Sequence, residues 1–584
     1  MSEFEPEDSP AALRRAADLQ AAGDAAGAAA IYQRLSQDHP GEAGIWAMLG
    51  DALRESGDPA AGAKALAKSS ALKPDDHDIA VEWALSLLEM GNAAAALDAL
   101  AGRVIPLQQS ERGQAVLADA YRATGDLGKA VAHYRHVLVL AHDNKNARVS
   151  LGVCLQESGD LDGAIGMYES ALAQDRDAID ALTNLGLAQS AKGWHDAALE
   201  PLRRAISLAP DDPSTHCNLG AVFQKIGQSD AALQCFETAT AVGPDDAKAW
   251  SNLGNAFQDR LRLDAARSAH ERAVALAPDD ADIHWNQAMT LLLSGDFTAG
   301  FAAYEWRLQT VKHAPPKHGS PRWDGRDPDG LRLLLIAEQG FGDAIQLIRY
   351  APLLHRRGAK ITIRCHPKLA ALFATLEGTP AIVETGSATP PVDAHVPLMS
   401  LPHLFQTTLE TLPAQIPYLR ATRDALSPSQ RAGQRRVGLC WKGNPNHPED
   451  AHRSCPIEVF DPLLAIGGMA WHSLQFGPDA ADAVGRIESD SNRTADGNSF
   501  AETAAVLESL DLIITVDTAT AHLAGALGRP VWLLLKYAPD WRWMTGRDDS
   551  PWYPSMRLFR QQAPGDWNGV IARVKTALES WKDN

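Results

Sequence analysis

The sequence predicts a superhelix of paired α-helices followed by an α/β domain of two small, doubly wound halves. Three observations carry that prediction: a 34-residue period across the first three hundred residues, apolar runs alternating with helical segments after Leu331, and a Pro- and Gly-rich stretch between them. A chain of 584 residues is too long for one hydrophobic core, so two or more domains are expected.

Counting from Gly152 in steps of 34 lands on Gly186, Gly220 and Gly254 and, backwards, on Ala118, Ala84, Gly50 and Ala16. Twelve positions after these marks stand small residues such as Ala130, Ala164, Ala198 and Ala232. Four further on is usually bulk, as in Tyr32, Tyr134, Tyr168, Phe236 and Tyr304. Small residues let two helices approach, and the ring fills the space beside them. Glycines such as Gly23, Gly57, Gly159 and Gly193 permit the turn within each pair, and prolines such as Pro40, Pro74, Pro210 and Pro278 end the second helix. The pattern resembles the tetratricopeptide repeat, with nine copies over about residues 9–314. The third copy departs at Arg103 and Gln108 and carries Pro106, so its second helix is expected to be short or bent.

Such arrays stack into a superhelix whose concave wall commonly holds polypeptide, which makes a protein the expected partner. Asn184, Asn218, Asn252 and Asn286 occupy one position in four successive repeats. Equivalent helices lie roughly 10 Å apart, about three residues of extended chain at ~3.3 Å each. The amides therefore either grip an acceptor's backbone at regular intervals or bond the neighbouring repeat. The first reading resembles the asparagine ladder of the O-linked N-acetylglucosamine transferases, which also join this repeat to a glycosyltransferase domain.

Periodicity ceases in the linker, residues 315–330, with Trp306 and Trp323 flanking it as candidate pins. Residues 331–425 then read as one half of a doubly wound unit, with strands in LRLLLIA, ITIRC, AIVET and AHVPL and a helix from about Asp343. Residues 426–584 read as the second half: RRVGLC, WHSLQ, the run Leu512–Val516 with its helix and following strand, and a last helix near 569–581.

Three loops carry candidate chemistry. In EQGFGDAIQ, Gly340 and Gly342 permit unusual dihedrals and Asp343 enters the helix, where aspartate ordinarily caps. The third glycine of a dinucleotide fingerprint is missing near Ile345, against a dehydrogenase. At Asp517, Thr518, Ala519 and Thr520 a strand turns into a helix whose first N–H groups suit a phosphate, unless Asp517 simply caps an ordinary βαβ unit. The loop from Trp441 to Pro456 gathers Lys442, Asn444, His447, Arg453 and Ser454. Its cations and hydroxyls suit a leaving nucleotide phosphate, His447 is an alternative base, and a solvated loop is the bland reading. Near the end, a loop of ~20 residues sets Trp541, Arg542, Trp543, Trp552 and Tyr553 together, either to stack on a base and bind phosphate or to pack as a lid.

The Gly342-Asp343 turn and the segment Asp517, Thr518, His522, Leu523, Ala524 resemble the heptosyltransferase-like glycosyltransferases. That resemblance implies an α/β GT-B-like domain of two small Rossmann-like halves. It also implies Asp343 as general base, Thr518, Ala519, Thr520 and His522 near the donor phosphates, and Asp517 near sugar hydroxyls. With YEWR at Tyr304–Arg307, PRWDG, WKGNP and DWRW, nearly the whole chain resembles bacterial tetratricopeptide glycosyltransferases that include flagellin-modifying enzymes. The implied activity is transfer of a sugar from a nucleotide-activated donor to Ser or Thr of a docked protein, flagellin being the expected acceptor. A nonulosonic acid linked to cytidine monophosphate is the expected donor. A lipopolysaccharide transferase, or a non-catalytic assembly scaffold with a degenerate domain, is the alternative.

Acidic residues number 73 against 54 basic, for a formal charge of -19, which argues against a nucleic-acid partner or an anionic membrane surface. No apolar run approaches ~18 residues and the first thirty residues lack a targeting pattern, so a cytoplasmic location without membrane insertion is expected. The six cysteines lack the spacing of a disulfide framework or zinc site. The DxD strings, such as Asp327–Asp329, fall in repeat turns or the linker, so a metal-independent reaction without a resident cofactor is expected.

Overall fold

The computed structural model describes residues 9–102, 106–311, 313–316, 318–421, 434–447, 450–487 and 499–582. The chain divides between Gly243 and Pro244 into two compact units.

The first unit is a run of helix pairs, from Ser9–Ala21 with Ala25–Asp38 to Pro213–Lys225 with Ser229–Val242. The period has a packing cause. A Cβ added at Gly152 would lie 2.5 Å from Tyr168 Cε1, and at Gly220 2.7 Å from Phe236 Cε1. The mark residue is therefore small because the bulky side chain of the partner helix rests on its backbone. Gly23, Gly57, Gly159 and Gly193 take φ of 86 to 90° in the turns, where a β-carbon is strained. Asp24, Asp58, Asp126 and Asp160 cap the helices that follow, each accepting from a backbone N–H three residues on. In the third pair the second helix, Ala93–Leu100, has 8 residues where the next pair has 14, as the sequence predicts. Arg103 lies outside the described residues.

The second unit opens with two more helix pairs, Ala247–Asp259 with Leu263–Leu276 and Ala281–Leu293 with Phe297–Tyr304. Two parallel sheets follow. The first holds β1 (Arg332–Ile336), β2 (Lys360–Cys365), β3 (Ala381–Glu384) and β4 (Ala394–Pro397) in the order β3-β2-β1-β4. The second holds β5 (Arg435–Cys440), β6 (Met469–Ser473), β7 (Leu512–Val516), β8 (Val531–Leu535) and β9 (Met556–Arg560) in the order β6-β5-β7-β8-β9. Every residue of β7 and β8 is buried, which is why both appear in the sequence as unbroken apolar runs. β9 corrects the expected loop: its MRLFR forms the edge strand, with Arg557 exposed.

The sheets share a core with the last repeat. Phe297 and Phe301 meet Trp541 edge-on, with ring centroids 6.4 and 5.6 Å apart, and Leu291 and Leu292 join the same cluster. Trp323 is buried; its backbone N–H donates to the His395 carbonyl at β4 (2.8 Å) and its indole to the Arg326 carbonyl (3.1 Å). The halves are joined by Arg349, whose guanidinium donates to the carbonyls of Pro413 and Trp552 and to the Tyr418 hydroxyl. Among the described residues no helix is long and apolar enough to cross a membrane.

Candidate active site

In open parallel sheets, ligands bind beyond the carboxyl ends of the strands. Here the segments following β1, β5, β6 and β7, with Asp540–Arg542 beyond β8, line one cleft of about 1260 Å³. Gly340, Gly342, Asp343, Lys442, Asn444, His447, Arg453, Asp517, Thr518, Ala519, Thr520, His522 and Arg542 all face it. Trp285, Met289 and Tyr304 of the last repeat add to its wall, as do His313, Pro315 and Pro316. Nothing in the repeat pattern marks Trp285 or Met289 for this place, the equivalent positions one repeat earlier being Ser251 and Asn255.

Asp343 lies in the first turn of the helix Phe341–Leu347. One carboxylate oxygen accepts from the Gly340 N–H at 2.8 Å and the other pairs with Arg542 Nη2. It thus caps its helix and still borders the cleft, with an ionised carboxylate's remaining lone pairs for a substrate proton. Arg542 is buried and also donates to Gln346 Oε1 at 2.6 Å and Asp540 at 2.9 Å. The neighbouring acids, Asp540 and Asp343, outweigh burial and hold its guanidinium firmly protonated.

The unusual dihedral expected of Gly340 and Gly342 belongs instead to Gln339, with φ of 62°. The glycines provide space: a Cβ on Gly342 would stand 2.8 Å from His522 Cδ2. His522 is the close neighbour because the helix Ala519–Ala526 packs on Phe341–Leu347. Its Nδ1 meets the Tyr553 hydroxyl at 3.0 Å and its ring stacks on Trp543 at 5.2 Å. Burial, followed by the charges of Arg542 and Arg349, pushes the imidazole well below its ordinary value, so it stays neutral.

Thr518, not Asp517, is the cap residue of that helix, and its side chain makes no capping bond. The expected alternative of a plain Asp517 cap is therefore replaced by a helix start open to the cleft. The Asp517 carboxyl is pushed up to about 6 by burial and by Asp540, against the pull of Trp543, Arg453 and Arg542.

After β5, the backbone N–H groups of Trp441 and Lys442 donate to Gln475 Oε1 at 3.2 and 3.0 Å, which fixes the loop. Lys442 Nζ is held by Asp479 (2.7 Å) and Asp482 (3.0 Å), and Arg453 by Asp450 (3.2 Å). Ser454 is a correction: its hydroxyl accepts from the Gly443 N–H and donates to Asp450, and it supports the loop without lining the cleft. Trp543 is a second correction. It is fully buried, as are Trp552 and Tyr553, and these three rings pack in the core away from the cleft, whereas Trp541 lines it. Among the described residues no His, Cys, Asp and Glu cluster could hold a metal ion.

Asn184 and Asn218 are half-buried in the first unit, Asn252 and Asn286 in the second. Asn286 Nδ2 donates to Ser251 Oγ of the preceding repeat at 3.0 Å, so at this position the amide bonds its neighbour.

Helix-pair repeats together with a cleft between two parallel-sheet halves define a repeat protein carrying a two-part α/β domain. Residues 495–562 match the glycosyltransferase family 9 (heptosyltransferase) model. Tetratricopeptide models match residues 19–81, 121–189, 190–227, 217–269 and 251–306. The chain thus combines tetratricopeptide repeats with a heptosyltransferase-like glycosyltransferase domain. It is 27% identical over 338 residues to Protein FlbA of Caulobacter vibrioides, an alignment covering 50% of this chain and 54% of that protein. The chain thus spans about half the length of the curated relative it matches. Among solved structures it is similar to MamA (25% identity, 28% of this chain and 97% of that one, TM-score 0.26). A tetratricopeptide protein from Parabacteroides merdae is also similar (14% identity, 44% and 98%, TM-score 0.38).

Proposed function

We propose that the protein is a protein O-glycosyltransferase of the GT-B type, transferring a sugar from a nucleotide-activated donor to Ser or Thr of an acceptor bound by its repeats. The observation that supports this most is the shared cleft. One wall offers an uncapped helix start at Thr518 with Lys442 and Arg453, suited to a nucleotide phosphate. Asp343 borders the same space, and the last repeat contributes Trp285 and Met289 to its rim. For a lipopolysaccharide acceptor an array of peptide-binding repeats would be superfluous.

In this reading Asp343, oriented by Arg542, takes the proton from the acceptor hydroxyl. The Thr518 helix start, Lys442 and Arg453 stabilise the charge that grows on the phosphate as the glycosidic bond breaks, without a metal. Flagellin as acceptor and a cytidine-monophosphate-linked nonulosonic acid as donor follow from the motif resemblance. Incubating the full chain with flagellin and that donor should add the sugar mass to Ser- or Thr-containing peptides. Transfer to lipopolysaccharide instead would redirect the acceptor. No turnover with any nucleotide sugar would leave an assembly scaffold.

A further inference from the structure

Glu338, at the mouth of β1, has chemistry that the proposed function leaves unused. Its side chain is 2% exposed. Oε1 accepts from Arg307 Nη2 at 2.9 Å and from the Met399 N–H at 3.1 Å. Oε2 is equally enclosed and meets no hydrogen-bond donor among the described residues, although Glu338 lines the cleft. The carboxylate is held in place, because Arg307 is itself anchored by Glu305 and by Ser400 Oγ at 2.8 Å. Native proteins rarely leave a buried carboxylate oxygen without a partner.

We propose that Glu338 Oε2 is a substrate-binding atom that accepts a hydrogen bond from a hydroxyl group of the bound substrate, on the donor's sugar or on the acceptor. A neutral O–H fits better than a cation, because Arg307 already balances the carboxylate, and a phosphate is repelled by it. The assignment rests on the proposed function for the identity of the substrate.

The test compares Glu338→Gln with Ser400→Ala in the full chain. The amide keeps an oxygen for Arg307 and Met399 and turns a donor, not an acceptor, toward the cleft. Ser400→Ala removes another partner of Arg307 and leaves Oε2 intact. Calorimetry with CMP, UDP and GDP, and with CMP-N-acetylneuraminate, UDP-N-acetylglucosamine and GDP-mannose, supplies the readout. If the hydroxyl is the donor's, Glu338→Gln weakens the nucleotide sugar about 10- to 100-fold and leaves the bare nucleotide unchanged. If it is the acceptor's, both affinities hold and kcat/KM for the acceptor falls by the same factor. Either result, with Ser400→Ala near wild type, upholds the assignment. Equal losses in both variants, or no change in Glu338→Gln, overturn it. If no nucleotide binds the wild type, the proposed function fails. A crystal structure in glycerol then decides Glu338: a glycerol hydroxyl on Oε2 upholds the role, and a protein donor, a lone water, an adventitious additive only or an empty position ends it.

Discussion

Gly342→Ala tests how the two sheet halves meet. The added methyl would lie 2.8 Å from His522 Cδ2 and 3.4 Å from Nε2. The imidazole cannot retreat, being 5% exposed, bonded to Tyr553 and stacked on Trp543. Overpacking of this kind costs about 1–3 kcal/mol. At about 2–4 °C per kcal/mol for a large domain, the second unit should melt several degrees lower. The assay is thermal unfolding of wild type, Gly342→Ala, His522→Ala and the double variant. If the clash is the cause, removing the imidazole relieves it, and the double variant is less destabilised than the sum by about 1 kcal/mol or more. A Gly342→Ala protein that melts with the wild type, or strictly additive losses, would show that Gly342 and His522 do not meet this closely.

Three further outcomes are expected. Asp343→Asn should lower transfer by about 10²- to 10⁴-fold while changing stability little, since Arg542 keeps Asp540 as partner; undiminished turnover would move the base role to His447. His270 is buried with neither ring nitrogen bonded, and burial holds its imidazole down at about 4, below its ordinary 6.5. The folded state therefore resists protonation, so its stability is full above pH 6.5 and falls by about 3 kcal/mol as pH drops toward 4. His270→Phe, matching Phe236 one repeat earlier, should flatten urea stability across that window, and an identical decline in both proteins would count against this. Arg307→Met strands the Glu338 carboxylate in the core while Glu305 keeps Arg322, so the urea midpoint should fall by the equivalent of about 3–5 kcal/mol; an unchanged midpoint would contradict the buried pair.

What the sequence disclosed follows from how contacts repeat. Gly152 and Tyr168, Gly186 and Leu202, and Gly220 and Phe236 recur in register because one backbone must accept one bulky side chain of its partner helix, and that constraint writes a period. β7 and β8 are legible because burial on both faces leaves no polar position. β9 is not, because Arg557 and Arg560 interrupt a five-residue edge strand inside an aromatic segment. The burial of Trp541 and Trp543 depends on Phe297, Phe301 and His522, which are distant in the chain, and a cluster of tryptophans and arginines looks the same whether it stacks on a ligand or on the core. Glu338 reads as an ordinary turn residue until Arg307, 31 positions earlier, is seen beside it.

Everything proposed for the active site depends on the cleft binding a nucleotide-activated sugar. Thermal unfolding of the full chain with millimolar cytidine, uridine, guanosine and adenosine mono- and diphosphates tests it most directly. The full chain is needed because Phe297 and Phe301 belong to the core beneath the cleft. A nucleotide at ~100 times its dissociation constant adds about 2.7 kcal/mol to the folded state. Melting temperature should rise selectively, with cytidine monophosphate if the donor is a nonulosonic acid, and the rise should be lost in Arg453→Ala. No rise with any nucleotide would contradict such binding.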